Sequence, residues 1–189
     1  RHFTIRSLQA DGWWRIGART LLQAGAEWRQ QDGWYSYQDE AEFELLFLTP
    51  GAPTSPTRTR SLTVEPSGHQ AAAYLNWRLE PAAAFAADLG LRWDTESLAP
   101  DDDSHWSPRA VLMWRPREDT RLRLGWGRYY QAQAINELQV PDGEREYQRA
   151  QRATHYVASA EHELTPALTL RTELYRKEYD RPFARHENL

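Results

Sequence analysis

The stretch from Ala84 to Asp94 reads AFAADLGLRWD and alternates apolar with small or polar side chains. A period of two is typical of a β-strand whose two faces meet different surroundings. Alanine and leucine also favour helix, but the strict alternation and the tryptophan favour strand. The stretch therefore predicts a strand, with one face formed by Phe85, Ala87, Leu89, Leu91 and Trp93.

The same alternation recurs along most of the 189-residue chain, which has about the length of one domain. Together with the first stretch, the recurrences predict about eight strands and an all-β fold. They lie at 3–9, 20–37, 71–80, 108–115, 120–131, 151–163 and 168–179.

The connections between these strands alternate between short and long. Short connections are predicted at about 10–19, 80–83, 116–119 and 164–167, and long ones at about 44–68, 95–107, 132–150 and 180–189. Outer-membrane barrels have tight turns on the periplasmic side and large loops outside, whereas a soluble sandwich has no reason to sort its loops by length. The pattern predicts the wall of an antiparallel up-and-down transmembrane β-barrel.

The aromatic residues fit two belts at the ends of such strands. Amphipathic rings rest at the two headgroup levels of a membrane, on either side of an apolar band. Alternation assigns Tyr130 to the lipid side and Tyr129 to the lumen. The lower belt would comprise Trp77, Phe85 and Trp114, and the upper one Trp93, Trp106, Tyr130 and Tyr179.

Composition excludes several classes of protein. The net charge is −4, which argues against a nucleic-acid partner. The chain has no cysteine, so disulfides, zinc–thiolate sites and cysteine nucleophiles are absent. The longest apolar run, Ala82 to Ala87, is far short of the roughly 20 residues of a membrane helix. The six histidines show no metal-ligand spacing, so no enzyme, metal or cofactor is predicted.

A family resemblance is carried by Ser107 to Val140, which reads SPRAVLMWRPREDTRLRLGWGRYYQAQAINELQV. It resembles a recurring region of TonB-dependent outer-membrane receptors: a strand opening with Ser-Pro-Arg, a tight turn, a returning strand with Gly-x-Gly-Arg and aromatics, and a loop with an Asn-Glu-Leu element. The matching residues are Ser107-Pro108-Arg109, Leu122-Arg123-Leu124-Gly125, Gly127-Arg128-Tyr129-Tyr130 and Asn136-Glu137-Leu138.

The resemblance implies that 1–189 is part of a 22-stranded barrel with a plugged lumen, in the outer membrane of a Gram-negative bacterium. The implied function is TonB-energised uptake of a scarce nutrient complex, such as a siderophore, cobalamin, haem or an oligosaccharide. The implied partners are outer-membrane lipid and lipopolysaccharide, a plug domain not seen here, the TonB complex and a small nutrient ligand. Further strands are expected on both sides of this piece.

Candidate ligand contacts combine aromatic faces with amide groups, which can hold sugars, haem-like rings or catecholate iron chelates. They are Trp34, Tyr35, Tyr37, Tyr129, Gln133, Asn136 and Glu137. Charged residues of the polar faces, Arg78, Arg92, Arg123, Arg171 and Glu173, are predicted to line the lumen, where they would steer anions or meet a plug. A solvated surface that folds inward on ligand binding is expected for the charged residues of loop 132–150, which are Glu137, Asp142, Glu144, Arg145, Glu146 and Arg149.

Other interpretations remain open at this stage. The aromatic clusters also fit a membrane girdle alone. The acidic run from Asp101 to Asp103, with Asp94, Glu96 and His105 nearby, is a candidate calcium site. It lacks the spacing of an EF-hand and fits a solvated loop tip or contact with lipopolysaccharide better. The whole chain could instead form a passive porin-like or structural barrel, or a soluble carbohydrate-binding β-sandwich rich in aromatics.

Overall fold

The computed structural model describes residues 1–42, 57–100 and 103–183, and within these ranges the chain is almost entirely β-strand. A single 3₁₀ turn at Val140–Asp142 is the one helical element there. The strands are β1 (His2–Ile16), β2 (Thr20–Glu42), β3 (Thr57–Val64), β4 (Ser67–Ala82), β5 (Phe85–Glu96), β6 (Asp103–Arg117), β7 (Thr120–Gln131), β8 (Gln151–Thr165) and β9 (Leu168–Asp180).

The nine strands form one antiparallel sheet in the order β1-β2-β4-β5-β6-β7-β8-β9. Strand β3 pairs with the far part of β2, from Tyr35 opposite Val64 to Glu42 opposite Thr57. The predicted up-and-down all-β fold is thereby confirmed, and the sheet is open within this chain. The additional strand arises because β2 runs 23 residues, beyond the point where β4 leaves it.

Three predicted connections differ from the structure. The reversal after β1 occupies only residues 17–19, because Gly17 takes the left-handed φ of +67° that a tight turn needs. Residues 103–107 lie in β6, where Asp94 pairs with His105 and Trp93 with Trp106, so cross-strand pairing continues through most of the predicted loop 95–107. Of loop 44–68, residues 57–64, 67 and 68 are strand and 43–56 lie outside the described residues.

The remaining connections keep the predicted contrast of length. Residues 83–84, 118–119 and 166–167 are the short links, and 132–150 is a long link without strand. Of the predicted loop 180–189, Asp180 ends β9 and 184–189 lie outside the described residues. We refer to the two ends of the sheet as the short-turn end and the long-link end.

The apolar face of the sheet carries the alternating leucines and tryptophans. Leu112 pairs with Leu124, and the rings of Phe85 and Trp114 stack at 6.0 Å with 5° between their planes. These side chains are nevertheless exposed, Leu124 by 59% and Leu174 by 72%. A soluble sandwich would bury such a face against a second sheet, and the described residues contain no second sheet. The face is that of a wall in contact with an apolar environment.

The buried core lies instead on the polar face, at the long-link end. Its residues come from β2, β3 and the link 132–150, which we call the cap; they are Tyr35, Leu62, Ile135, Leu138, Val140 and Tyr147. The cap is therefore part of the folded structure. Among the described residues, no helix is long and apolar enough to cross a membrane.

Candidate functional site

The cap leaves β7 at Gln131, folds back over the polar face and returns to β8 at Gln151. Its central residues contact β2 and β3, although β4, β5 and β6 lie between those strands and β7 in the sheet. Leu138 and Val140 are completely buried at this contact, at 0% and 1% exposure. Each such side chain contributes about 1.5–3 kcal/mol when removed from water, so apolar burial holds the cap in place.

Two tyrosines fix the cap through one backbone carbonyl. The hydroxyl groups of Tyr35, on β2, and Tyr147, on the cap, both donate to the carbonyl oxygen of Ile135, the second at 2.8 Å. Burial raises the pKa of both tyrosines, so both hydroxyls remain protonated donors at physiological pH.

The cap also has hydrogen bonds of its own. The Gln133 side chain accepts from the Gln148 N–H at 2.9 Å and donates to the Glu137 carbonyl at 3.3 Å. The Glu137 carboxylate accepts from the Ala134 N–H at 2.8 Å. Because side chains satisfy these backbone groups, the link keeps a defined shape without regular secondary structure.

Gly143 allows the cap to approach β3. Its φ of +90° is left-handed, and a Cβ placed there would lie 2.1 Å from an Arg60 guanidinium nitrogen. The backbone conformation favours glycine, whereas the Arg60 guanidinium ends a flexible side chain that can move aside.

A hollow of about 150 Å³ lies beneath the two ends of the cap, which we call the capped hollow. Its roof includes Ala132 and Ala150, and its wall includes charged residues of β2, β5 and β6. The charged residues are Glu27, Arg29, Arg92, Asp94, Glu96, Asp103 and His105. Asp103 ties this wall to the cap, because its Oδ2 accepts from the Ala150 N–H at 2.8 Å.

Glu96 is the least solvated charged group of the capped hollow, with 6% of its surface exposed. Burial raises its pKa to about 7; a side-chain hydrogen bond with Gln70 partly offsets this, and the charge of Asp103 adds to it. One carboxyl oxygen, Oε1, has no hydrogen-bond partner in the structure. The carboxyl group is therefore close to half-ionised at neutral pH and has a free acceptor.

Two histidine–tyrosine contacts lie beside the hollow. The His105 ring stacks on Tyr130 with 4.2 Å between centroids, and its Nε2 is 2.8 Å from Asp103 Oδ2, at ion-pair distance but not at a hydrogen-bond angle. The Tyr129 ring lies 4.7 Å from His155. The assignment of Tyr130 to the lipid side was wrong. Strand β7 stays paired with β8 as far as Gln131, but its pairing with β6 ends at Arg109 opposite Gly127, and beyond that point the Tyr130 ring stacks on His105 of β6 and lines the hollow.

The predicted ligand-contact residues fall into three environments. Tyr35 and Gln133 are buried with their polar groups engaged, and Tyr37 packs partly against the same core. Trp34 lies opposite His2 in the ladder and is exposed. The remaining three, Tyr129, Asn136 and Glu137, are exposed near the cap. A ligand role for any of the seven stays a prediction.

The predicted wall residues all lie on the polar face. Arg78 contacts Glu80 at 3.0 Å, Arg92 contacts Asp94 at 2.8 Å, and Arg171 contacts Glu173 at 3.1 Å. Each is a pair two residues apart on one strand, where alternation places both side chains on the same face. Arg123 has no carboxylate partner among the described residues and lies 4.0 Å from the Met113 sulfur.

Sequence reasoning missed the centre of this site. The apolar spacing of Ile135, Leu138 and Val140 within a charged link was the available sign that the link is buried. The expectation of a solvated surface concerned the charged residues of the link and did not extend to these apolar ones. Glu96 and His105 were noted only as neighbours of the acidic run in the predicted loop 95–107, and their burial beneath the cap was not expected. Asp101 and Asp102 lie outside the described residues, and no group of metal-binding side chains occurs among those described.

Comparison with protein families decides the class of this wall. The family described as "TonB dependent receptor-like, beta-barrel" matches residues 2–187. The chain belongs to this family. A TonB-dependent receptor barrel has the features described above: an antiparallel up-and-down wall, an apolar face toward lipid and a polar face toward the lumen. The family is one of receptors and not of enzymes, in agreement with the prediction from the sequence.

Solved siderophore receptors have a similar fold. A mutant of the ferric enterobactin receptor PfeA from Pseudomonas aeruginosa is 20% identical with a TM-score of 0.61, and the siderophore receptor PirA from Acinetobacter baumannii is 13% identical with a TM-score of 0.62. Each match covers 94% of this chain and 27% of the receptor. A search of curated protein sequences found no match. The chain thus spans about a quarter of the length of these TonB-dependent receptors.

Proposed function

We propose that this chain is wall and outer-loop structure of a receptor that takes up a scarce nutrient complex through the outer membrane, with energy supplied through TonB. The observation that carries the proposal is the family match over residues 2–187. Its siderophore-receptor neighbours, one of them solved with enterobactin, favour an iron chelate as cargo.

The arrangement of the two faces supports this function. The apolar face offers exposed leucine and tryptophan to hydrocarbon, while the polar face holds arginine–carboxylate pairs suited to a wet lumen. In this proposal the long-link end is outside the cell and the short-turn end is periplasmic. Lipid and lipopolysaccharide contact the apolar face, and a plug domain meets the polar face.

The cap supplies the proposed ligand-facing surface. Tyr129 and Asn136 are exposed and adjoin the lumen side of the sheet, so we assign them to contact with the nutrient complex. Tyr35 and Gln133 act instead by holding the cap, because their polar groups are already bonded to it. Of the five wall residues, Arg123 alone lacks a partner of opposite charge among those described, so it is the one we assign to contact with the plug.

Uptake by intact cells tests the proposal. A strain lacking the full-length receptor gene would be given ⁵⁵Fe-loaded siderophores, haem or labelled cobalamin, with and without the gene restored, in TonB-positive and TonB-negative backgrounds. We expect one ligand to accumulate only when both receptor and TonB are present. Uptake that persists without TonB would identify a passive porin instead, and no gene-dependent uptake of any ligand would refute the transport function.

A further inference from the structure

The charges that line the capped hollow do not balance. Four carboxylates, Glu27, Asp94, Glu96 and Asp103, face two guanidinium groups, Arg29 and Arg92. Arg29 is paired with Glu27, and Arg92 with Asp94 at 2.8 Å.

The two remaining carboxylates differ in their surroundings. Asp103 has the His105 ring nitrogen at 2.8 Å and the Ala150 N–H at the same distance. Glu96, beside Gln70, has no cation partner among the described residues, and its Oε1 has no hydrogen-bond partner among them. Glu96 is therefore the carboxylate of this lining that lacks a partner of opposite charge. It lines the hollow and is more than nine-tenths buried.

The rest of the lining is small or aromatic. Ala71, Ala72, Ala132 and Ala150 leave space next to Glu96, and the ring of Tyr130 forms one side. An aromatic face attracts organic cations as well as apolar groups. A cavity of about 150 Å³ is sufficient for a group the size of benzene.

We propose that the capped hollow is a recognition subsite for a protonated amine carried by the transported ligand, with Glu96 as its counter-ion. This inference rests on the proposed transport function and adds the chemical class that one part of the cargo must have. An ammonium group supplies the missing charge and a hydrogen-bond donor for Oε1, while its alkyl chain fits the alanine walls. Burial of a charge is tolerated when the charge is paired in this way.

The affinity of this subsite for an amine should depend on pH, because Glu96 binds and releases a proton near neutral pH. Burial raises the pKa of Glu96 to about 7, whereas an alkylammonium stays protonated to about pH 10. Binding requires the ionised carboxylate, so the apparent affinity should fall about tenfold for each pH unit below 7 and level off above it. The other groups around Glu96 are Gln70 on β4, Arg92 and Asp94 on β5, Asp103 and His105 on β6, Glu27 and Arg29 on β2, Tyr130 on β7 and Tyr147 on the cap.

Calorimetry on the purified full-length receptor in detergent tests the subsite, with n-butylammonium chloride as probe at pH 5.5, 6.5 and 7.5. The neutral n-butanol and the anionic butyrate are matched ligand controls. We expect only the ammonium to bind, with release of up to one proton per amine at the lower pH values. Glu96→Gln should abolish binding, and Glu163→Gln, an exposed site at the short-turn end, should leave it unchanged.

Three results would overturn the inference: equal binding to the Glu96→Gln receptor, equal binding of butanol, or displacement of the amine by Ca²⁺ at equal concentration. The glutamine variant should remain folded, because glutamine has the shape of the protonated carboxyl group that already occupies this position below pH 7. Failure of the uptake assay would leave the amine result standing. Failure of amine binding in a receptor that still imports its ligand would refute the subsite alone.

Discussion

The strongest test of the cap is a double-mutant cycle on the two tyrosines that share the Ile135 carbonyl. Tyr147→Phe removes one of two donors, and a single hydrogen bond contributes about 1 kcal/mol. The cap's amides should then exchange about fivefold faster, because each 1.4 kcal/mol corresponds to roughly tenfold in an equilibrium. Tyr35→Phe removes the other donor, so we again expect about 1 kcal/mol and roughly fivefold.

The double variant distinguishes a shared carbonyl from two independent contacts. With both hydroxyls removed, the buried carbonyl of Ile135 has lost both of its tyrosine donors, which adds about 1–3 kcal/mol beyond the sum of the single variants. Hydrogen–deuterium exchange of peptides covering 132–150, in the full-length receptor, measures this local opening. A double variant that is additive within about 0.5 kcal/mol would refute the shared-carbonyl arrangement.

Three further predictions follow from single residues. Burial raises the pKa of Glu96 to about 7, from 4.5, so the structure around it should lose stability as the pH rises from about 4.5 to 7 and should lose no more above 7. Exchange of β5 and β6, corrected for the intrinsic pH dependence of amide exchange, should accelerate over that range, and a Glu96→Gln receptor that keeps the acceleration would contradict this. Gly143→Ala should cost about 1–2 kcal/mol because of the left-handed backbone, measured as faster exchange of the cap. Unchanged exchange would be inconsistent with the described turn. Trp14 pairs with Leu22 on the apolar face, and Trp13 pairs with Gln23 on the polar face. Brominated lipid should therefore quench the fluorescence of Trp14 and not of Trp13. The opposite result would mean that the two faces of the sheet have been assigned the wrong way round.

Much of the fold was predictable because alternation acts locally. Phe85 to Asp94 reveals two faces from its own side chains, and the contrast of short and long links indicates an up-and-down wall. The end of a strand is harder to predict. Asp103 and His105 continue β6 because Glu96 and Asp94 lie opposite them, and such pairing is not visible in one strand alone.

The candidate site was less predictable because it depends on contacts between distant parts of the chain. Tyr35 and Ile135 are 100 residues apart in sequence, and only the return of the cap to β2 brings them together. Tyr35 and Gln133 were predicted to contact ligand because they carry an aromatic ring and an amide group. In the structure, the Tyr35 hydroxyl and the Gln133 amide form hydrogen bonds that hold the cap. Tyr130 was assigned to lipid by alternation along its own strand, and its stacking on His105 beyond the end of the β6–β7 pairing could not be inferred from that strand.

The route of the cap has a mechanical consequence. The cap starts and finishes in two adjacent strands, β7 and β8, but its middle packs against β2. Three strands, β4, β5 and β6, lie between β2 and β7. The cap connects strands on both sides of β4, β5 and β6 at the long-link end. If β2 moves away from β7, the cap must extend or Leu138 must leave its buried position. The separation of β2 from β7 at the long-link end and the position of the cap are therefore coupled. In the proposed receptor, a ligand that changes one of them also changes the other.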